Sequence, residues 1–329
     1  MASCIRRRKF LATLLGGAAA AWPLAARAQQ RPVVGLLAAS SKTAGARYYG
    51  AFSQGLRELG YSEGRDYTFE ERYADGDVAR LPRLAEELVR LKPWVIVAGA
   101  TPAVLAARRA TDSVAIVGVN MNDPVALGLI ASEARPGANV TGVLSRLPGQ
   151  AAKQLEIARD AVPGASKVGI LINANNQSNV LQWRETEPAA KKLGLGLAAV
   201  EIRAMNELGS AVERFVNERA DVVVVLGDAA LLTVRRQIAA FALASRLPTV
   251  FSFREHVEDG GLVSYGVNLR ENYRRAAYFA DRILKGEKPA DLPVEFPPKV
   301  ELIVNLATAK ALRLNIPPTL LARADEVIE

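Results

Sequence analysis

The chain has 329 residues, half of them hydrophobic and 23% charged, with 25 Gly and 17 Pro. That is enough for about two ordinary globular domains, and it excludes a disordered, collagenous or coiled-coil chain. One Cys and one His rule out a disulfide framework and leave almost no ligands for a structural zinc or a thiol redox site. Lys and Arg total 42 against 34 Asp and Glu, but Arg6, Arg7, Arg8, Lys9 and Arg27 all lie in the first 28 positions, where there is no acid; removing these five leaves 37 against 34, a net +3 over 301 residues, so the body gives little reason to expect nucleic acid as a partner.

Those 28 residues read as an export signal. A basic stretch, Arg6 to Lys9, precedes a modest apolar one, Phe10 to Ala21, and Ala26-Arg27-Ala28 offers an A-x-A cleavage pattern with the cut between Ala28 and Gln29. Arg7-Arg8-Lys9-Phe10-Leu11 resembles the twin-arginine signal R-R-x-F-L, although the general secretory route stays open. Cys4 precedes the apolar stretch, so it is not a lipoprotein cysteine, and the cleaved chain has no Cys. No apolar run reaches the roughly 20 residues of a membrane span. The expected location is the periplasm.

The body alternates strand and helix. Strands are predicted at 32–38, 66–71, 94–98 and 114–119, then at 167–172, 197–202, 221–226 and 249–253, with helical patterns between them. Leu81, Leu84, Leu88 and Leu91 mark one helical face. Two β-α-β series imply an α/β fold of two doubly wound lobes with parallel sheets and helices on both faces. Arg135 to Asn139, Gly260-Gly261 and Lys288-Pro289 are the candidate breaks, and three crossings would mean that the chain visits each lobe twice.

In open α/β sheets the ligand lies beyond the carboxyl ends of the strands. Ser40 and Ser41 follow the first strand. Ala100 and Thr101 follow the third, with Thr101 expected to cap a helix and Pro102 to begin it, so that its free N–H groups suit a carboxylate. Asn120, Asn122 and Asp123 follow the fourth strand; Asn173, Asn175, Asn176 and Ser178 follow the first strand of the second series. Asp228 sits where it would either pair with an ammonium group or cap the helix starting at Ala229. Tyr48, Tyr49 and Tyr265 are the rings to inspect, as stacking or as packing. The only His, His256, lies among charged residues and is expected on a surface turn.

Several motifs are absent. Gly194 to Ala199 fits G-x-G-x-x-A but lies between a helix and a following strand, the reverse of the dinucleotide fingerprint. There is no phosphate-binding G-x-x-x-x-G-K-[S/T], no G-x-S-x-G and no metal cluster, so no cofactor is expected.

With these residues in hand, the chain resembles the tryptophan/tyrosine-type substrate-binding proteins of ABC transporters. The matching blocks include Gly55 to Tyr61, Arg80 to Val89, Thr101-Pro102-Ala103, Asp123-Pro124-Val125 and Ala134 to Gly137. Asn139 to Gly142, Arg254-Glu255, Gly260 to Gly266, Tyr273 to Ala277, Lys285-Gly286, Leu292 to Glu295 and Ile316-Pro317-Pro318 continue the match, with Ala138 standing where a second Gly is expected. The resemblance implies a type I periplasmic binding fold, two lobes joined by a three-strand hinge, assigned as 32–143 with 262–288 and 144–261 with 289–329. It implies that a small polar solute, an amino acid or related carboxylate, is captured between the lobes and delivered to a membrane permease, with the protein a monomer and not an enzyme. It also implies pocket positions in the loop after the first strand, the Ala100–Thr101 helix start, the Asp123 turn, the Asn175–Asn176 turn and Asp228. The alternatives are an exported two-lobed enzyme, working without His or Cys, and a receptor module that presents its solute to a sensor.

Overall fold

The computed structural model describes residues 31–297 and 299–329, so the expected export signal lies outside the described residues. The first sheet is built from β1 (Val33–Ala38), β2 (Thr68–Tyr73), β3 (Val95–Gly99), β4 (Ala115–Met121) and β5 (Val140–Leu144), in the order β2-β1-β3-β4-β5, all parallel. The inner strands are almost continuously apolar because helices cover both sheet faces. At the edge, β2 (TFEERY) is half-buried along its length and carries charge, which disfavours pairing with another chain.

The second sheet contains β6 (Lys167–Asn173), β7 (Gly196–Ile202), β8 (Val222–Val225), β9 (Thr249–Phe251), β10 (Val263–Val267), β11 (Val300–Asn305) and β12 (Glu326–Ile328). Their order is β12-β11-β10-β9-β8-β6-β7, with only the β10–β11 pair antiparallel. In each sheet the chain reverses its winding direction beside the first strand, β1 or β6, and a crevice opens there at the carboxyl ends.

Helices α1 (Lys42–Glu58), α2 (Leu81–Arg90) and α3 (Thr101–Ala110) connect strands of the first lobe. Leu81, Leu84 and Leu88 are buried as one face of α2, while Leu91, just past its end, is 42% exposed. The second lobe holds α4 (Gln150–Ala161), α5 (Gln177–Lys192), α6 (Leu208–Asn217), α7 (Ala229–Thr233), α8 (Arg235–Ala244) and α9 (Arg254–Glu258). Between β8 and β9 the helical stretch is split: α7 ends at Thr233 and α8 begins after Val234, whose φ of −103° breaks the winding.

Strand pairing places the crossings differently from the expected boundaries. The segment 262–288 was expected in the first lobe, yet β10 belongs to the second sheet and only α10 (Leu269–Leu284) returns to the first. There α10 packs on α1 at Gly55, where an added Cβ would come within 2.8 Å of the Arg274 carbonyl oxygen. Residues 289–295 also stay with the first sheet: Glu295 N–H donates to Gly142, Leu144 N–H donates to Glu295, and Thr141 Oγ1 donates to the Leu292 carbonyl at 2.7 Å. The chain therefore crosses after β5, after β10 and between Glu295 and β11. Gly260-Gly261 is a turn inside the second lobe, with Gly261 N–H on the His256 carbonyl. The C-terminal helices α11 (Leu306–Ala311) and α12 (Pro318–Leu321) complete the second lobe. No helix among the described residues is long and apolar enough to cross a membrane.

Candidate ligand-binding cleft

A cleft lies between the lobes and is lined from both sides. From the first lobe come Ser40, Gly99, Ala100, Thr101, Asn120, Asn122 and Ser145, with Tyr48 on α1 and Leu269 and Tyr273 on α10. From the second come Asn176, Ser178, Gly227, Asp228, Ala229, Leu232 and Phe253. Leu232 and Phe253 join the apolar cluster of the first lobe, so the lobes are in contact here.

The first-lobe wall begins at a strained backbone. Ala100 precedes α3 with φ 71° and ψ 155°, a region that glycine favours, and its side chain makes no cap. Thr101 is therefore not the expected cap; its Oγ1 accepts from Asn122 N–H at 2.9 Å. Ala100 N–H donates to Val119 and Ala103 N–H to Ala100, and Pro102 has no donor. The Thr101 N–H is left without an acceptor among the described residues, at the positive end of a ten-residue helix. Asn122 Oδ1 accepts from Ser145 Oγ at 2.6 Å, and Asn120 Oδ1 accepts from Asn272 Nδ2 at 2.7 Å. The amide nitrogens of Asn120 and Asn122 take no partner among the described residues. This wall presents donors.

The second-lobe wall is bonded mostly within itself. Asp228 Oδ1 accepts from Leu231 N–H at 2.8 Å and Asn173 Nδ2 at 3.1 Å, while Oδ2 accepts from Asn176 Nδ2 at 2.7 Å. Asp228 thus caps α7, and one of the roughly four acceptor positions of its carboxylate remains. Asn176 caps α5, its Oδ1 accepting from Ser178 N–H and Oγ. Gly227 is held by Asn179 and Gln182.

An aromatic cluster closes the apolar side. Tyr48 stacks on Tyr273 with ring centroids 5.7 Å apart, and Tyr49 meets Tyr273 edge-on at 5.6 Å. Gly99 lies under the Tyr273 hydroxyl, which a Cβ there would meet at 2.2 Å. Burial pushes the Tyr48 and Tyr273 phenols well up, and Tyr49 to about 12, although its hydrogen bond with Ser40 opposes the shift.

Of the residues chosen from sequence, Ser40, Ala100, Thr101, Asn122, Asn176 and Asp228 line this cleft. Four do not. Ser41 caps α1 through Ala44 N–H. Asp123 turns toward Arg146, 3.8 Å away, and burial raises its carboxyl. Asn175 is exposed and donates to the Arg203 carbonyl. Tyr265 packs its ring in the second-lobe core, and its carbonyl accepts from Gln150 and Gln154. His256 is a further correction: expected on a surface turn, it is 2% exposed, stacked 4.4 Å from Phe251, with neither ring nitrogen partnered among the described residues. Burial pushes its imidazole down to about 3. Ser145, Leu232, Phe253 and Leu269 carried no signal in the sequence. Tyr48 and Asn120 did: Tyr48 in its aromatic pair, Asn120 at a strand tip.

Residues 34–328 match the family model described as ABC transporter substrate binding protein. The chain belongs to that family. This substrate-binding protein is 28% identical over 264 residues to a tyrosine-binding protein of Clostridioides difficile (strain R20291), covering 80% of this chain and 76% of the relative. It is 26% identical to the ABC domain from Streptococcus pneumonia solved in complex with L-Trp, with a TM-score of 0.85 over 91% of this chain and 100% of that one. A conserved domain protein from Vibrio cholerae matches with a TM-score of 0.86 at 26% identity and the same coverage. These relatives fix the fold as the two-lobed type I periplasmic binding architecture and the function as capture of a small molecule for an ABC transporter.

Proposed function

We propose that the cleft binds an α-amino acid with an apolar side chain. The carrying observation is the asymmetry of the two walls: unpaired donors on the first lobe, and a carboxylate with one open acceptor position on the second. The solute carboxylate takes the Thr101 N–H and the amides of Asn120 and Asn122, its ammonium group takes Asp228, and its side chain lies along Tyr48, Leu232, Phe253 and Leu269. The tyrosine-binding relative and the L-Trp complex support this class of solute. Ser40 contributes to the same cleft; Ser41, Asp123, Asn175 and Tyr265 are given no contact with the solute in this reading.

In the same reading the chain is exported through its Arg7-Arg8-Lys9-Phe10-Leu11 signal and cut after Ala28. It works in the periplasm as a monomer and hands its solute, unchanged, to a membrane permease. It is not an enzyme and takes no nucleic acid. Solute stabilises the closed arrangement because both walls contact it only there.

The test is thermal unfolding against a panel of amino acids, small carboxylates, amides and sugars, after refolding from denaturant to strip bound solute. An apolar amino acid at 100 times its Kd is expected to add about 2.7 kcal/mol, a rise of a few degrees, and to be recovered intact. A sugar as the only hit, or a hit converted during incubation, would overturn the assignment.

A further inference from the structure

Beyond the cleft, the two lobes touch through a charged contact that has its own logic. Consecutive residues of α1 on the first lobe, Arg47 and Tyr48, face Glu258 and Glu255 of α9 on the second. Arg47 Nη1 donates to Glu258 Oε2 at 2.7 Å. The other oxygen of Glu258 accepts from Arg254 Nε at 2.9 Å. Arg254 is itself anchored within the second lobe, by Glu301 on β11 at 3.1 Å and Glu326 on β12 at 2.6 Å. Glu258 is thus held in place by its own lobe while one oxygen is presented to the opposite lobe. Tyr48, the next residue after Arg47, turns its ring into the cleft.

We propose that Arg47 and Glu258 form an interlobe clasp that holds the cleft shut and slows the escape of captured solute. Opening the cleft must separate α1 from α9, so this pair is made only in the closed arrangement. A charge held ready loses less rotamer freedom on pairing than two free side chains do, which is why this pair does more than an ordinary exposed one. The groups around it fit the assignment. Arg47 is raised chiefly by its hydrogen bond to Glu258. Burial pushes the Glu258 carboxyl up, but the hydrogen bonds from Arg47 and Arg254 outweigh it and hold it below the usual range. Glu255, beside Tyr48, is pushed up by burial and has an Oε2 without a partner, so Glu258 is the better anion for Arg47.

The role in solute escape rests on the proposed amino-acid cleft; the clasp itself does not. Two measurements on the same variants separate them. Small-angle scattering of the solute-free protein reads lobe closure, and stopped-flow dissociation of L-tryptophan reads escape. Arg47→Ala and Glu258→Gln are each expected to shift the solute-free population toward the open, larger form and to speed dissociation about three- to tenfold. The double variant is expected to be no worse than either single one, and Arg47→Lys to recover most of the loss. The differences should shrink in high salt. Unfolding temperatures within a degree or two of the parent would show that both lobes stay folded. Variants that scatter and release L-tryptophan as the parent does, or a double variant whose effects simply add, would overturn the clasp. If L-tryptophan fails to bind the parent, the solute assignment falls, while the scattering still decides the clasp.

Discussion

The two walls of the cleft solve opposite problems with similar residues. On the second lobe, Asn173, Asn176, Asn179, Gln182 and Asp228 bond mostly to one another and to the backbone. On the first, Asn120 and Asn122 have their carbonyl oxygens occupied but their amide nitrogens left over, beside a backbone bent into a glycine-type conformation at Ala100. A network bonded mostly to itself is rigid and leaves the solute little more than the one open acceptor position of Asp228; unpaired donors wait for an acceptor. In the proposed reading the first lobe supplies most of the polar contacts to the solute, and the second adds Asp228 from a preformed network.

If the second wall owes its rigidity to uncharged burial behind it, acid should loosen it first. His256 stacks between Phe251 and Phe253, the latter a cleft residue. Its imidazole sits near 3, far below the ordinary 6.5. The folded protein thus refuses a proton that the unfolded chain accepts. The contribution to stability is complete above pH 6.5 and is lost as pH falls toward 3, on the order of 3 kcal/mol by pH 4. His256→Leu, which discards two unpartnered nitrogens, is expected to flatten urea-denaturation stability between pH 6.5 and 4 relative to the parent. Parallel pH profiles for the two proteins would show that this histidine does not govern the loss.

Asp228 tests the second-wall network directly. Asp228→Ala uncaps α7 and leaves the amides of Asn173 and Asn176 without their acceptor, for an expected loss of about 2–3 kcal/mol by urea denaturation. Its role toward solute is separated by comparing an amino acid with its deaminated analogue. The variant should lose affinity for the first and little for the second. Full affinity for the amine-bearing compound would remove Asp228 from the solute contacts.

The contrast between the walls also explains what sequence could reveal. Parallel inner strands are apolar on both faces, so their ends are visible wherever the run meets Ser40, Ala100, Asn122 or Asp228. Those tips converge because strand register forces them to. Residues on helices carry no such marker. Tyr273 and Leu269 reach the cleft because α10 returns to the first lobe after β10; the expected first-lobe segment 262–288 contained that return, but reading Gly260-Gly261 as a break started it one strand too early. His256 was misread because Arg254, Glu255 and Glu258 look like a solvated turn. In fact Arg254 and Glu258 spend their charge on pairs with other elements, while Glu255 is buried. Alternation of charge along a short helix does not say where those charges point.

The smallest expected effect lies on the first wall, and it reverses the usual sign of a site mutation. Ala100 holds φ 71° and ψ 155° at the entrance to α3. Such a conformation costs a non-glycine residue about 1–3 kcal/mol. Glycine there removes the strain but gives the unfolded chain more freedom, worth about 0.4–1 kcal/mol in the other direction. Ala100→Gly is therefore expected to raise stability by roughly 1 kcal/mol, read from urea denaturation without solute. The same change loosens the turn that aims the Thr101 N–H, so solute affinity should stay level or fall about two- to threefold. A more stable protein with weaker binding would mean that the strain serves the site. A less stable protein would mean that the Ala100 methyl, which packs partly against the first-lobe core, contributes more than the backbone strain costs, and the first wall would then be an ordinary packed turn.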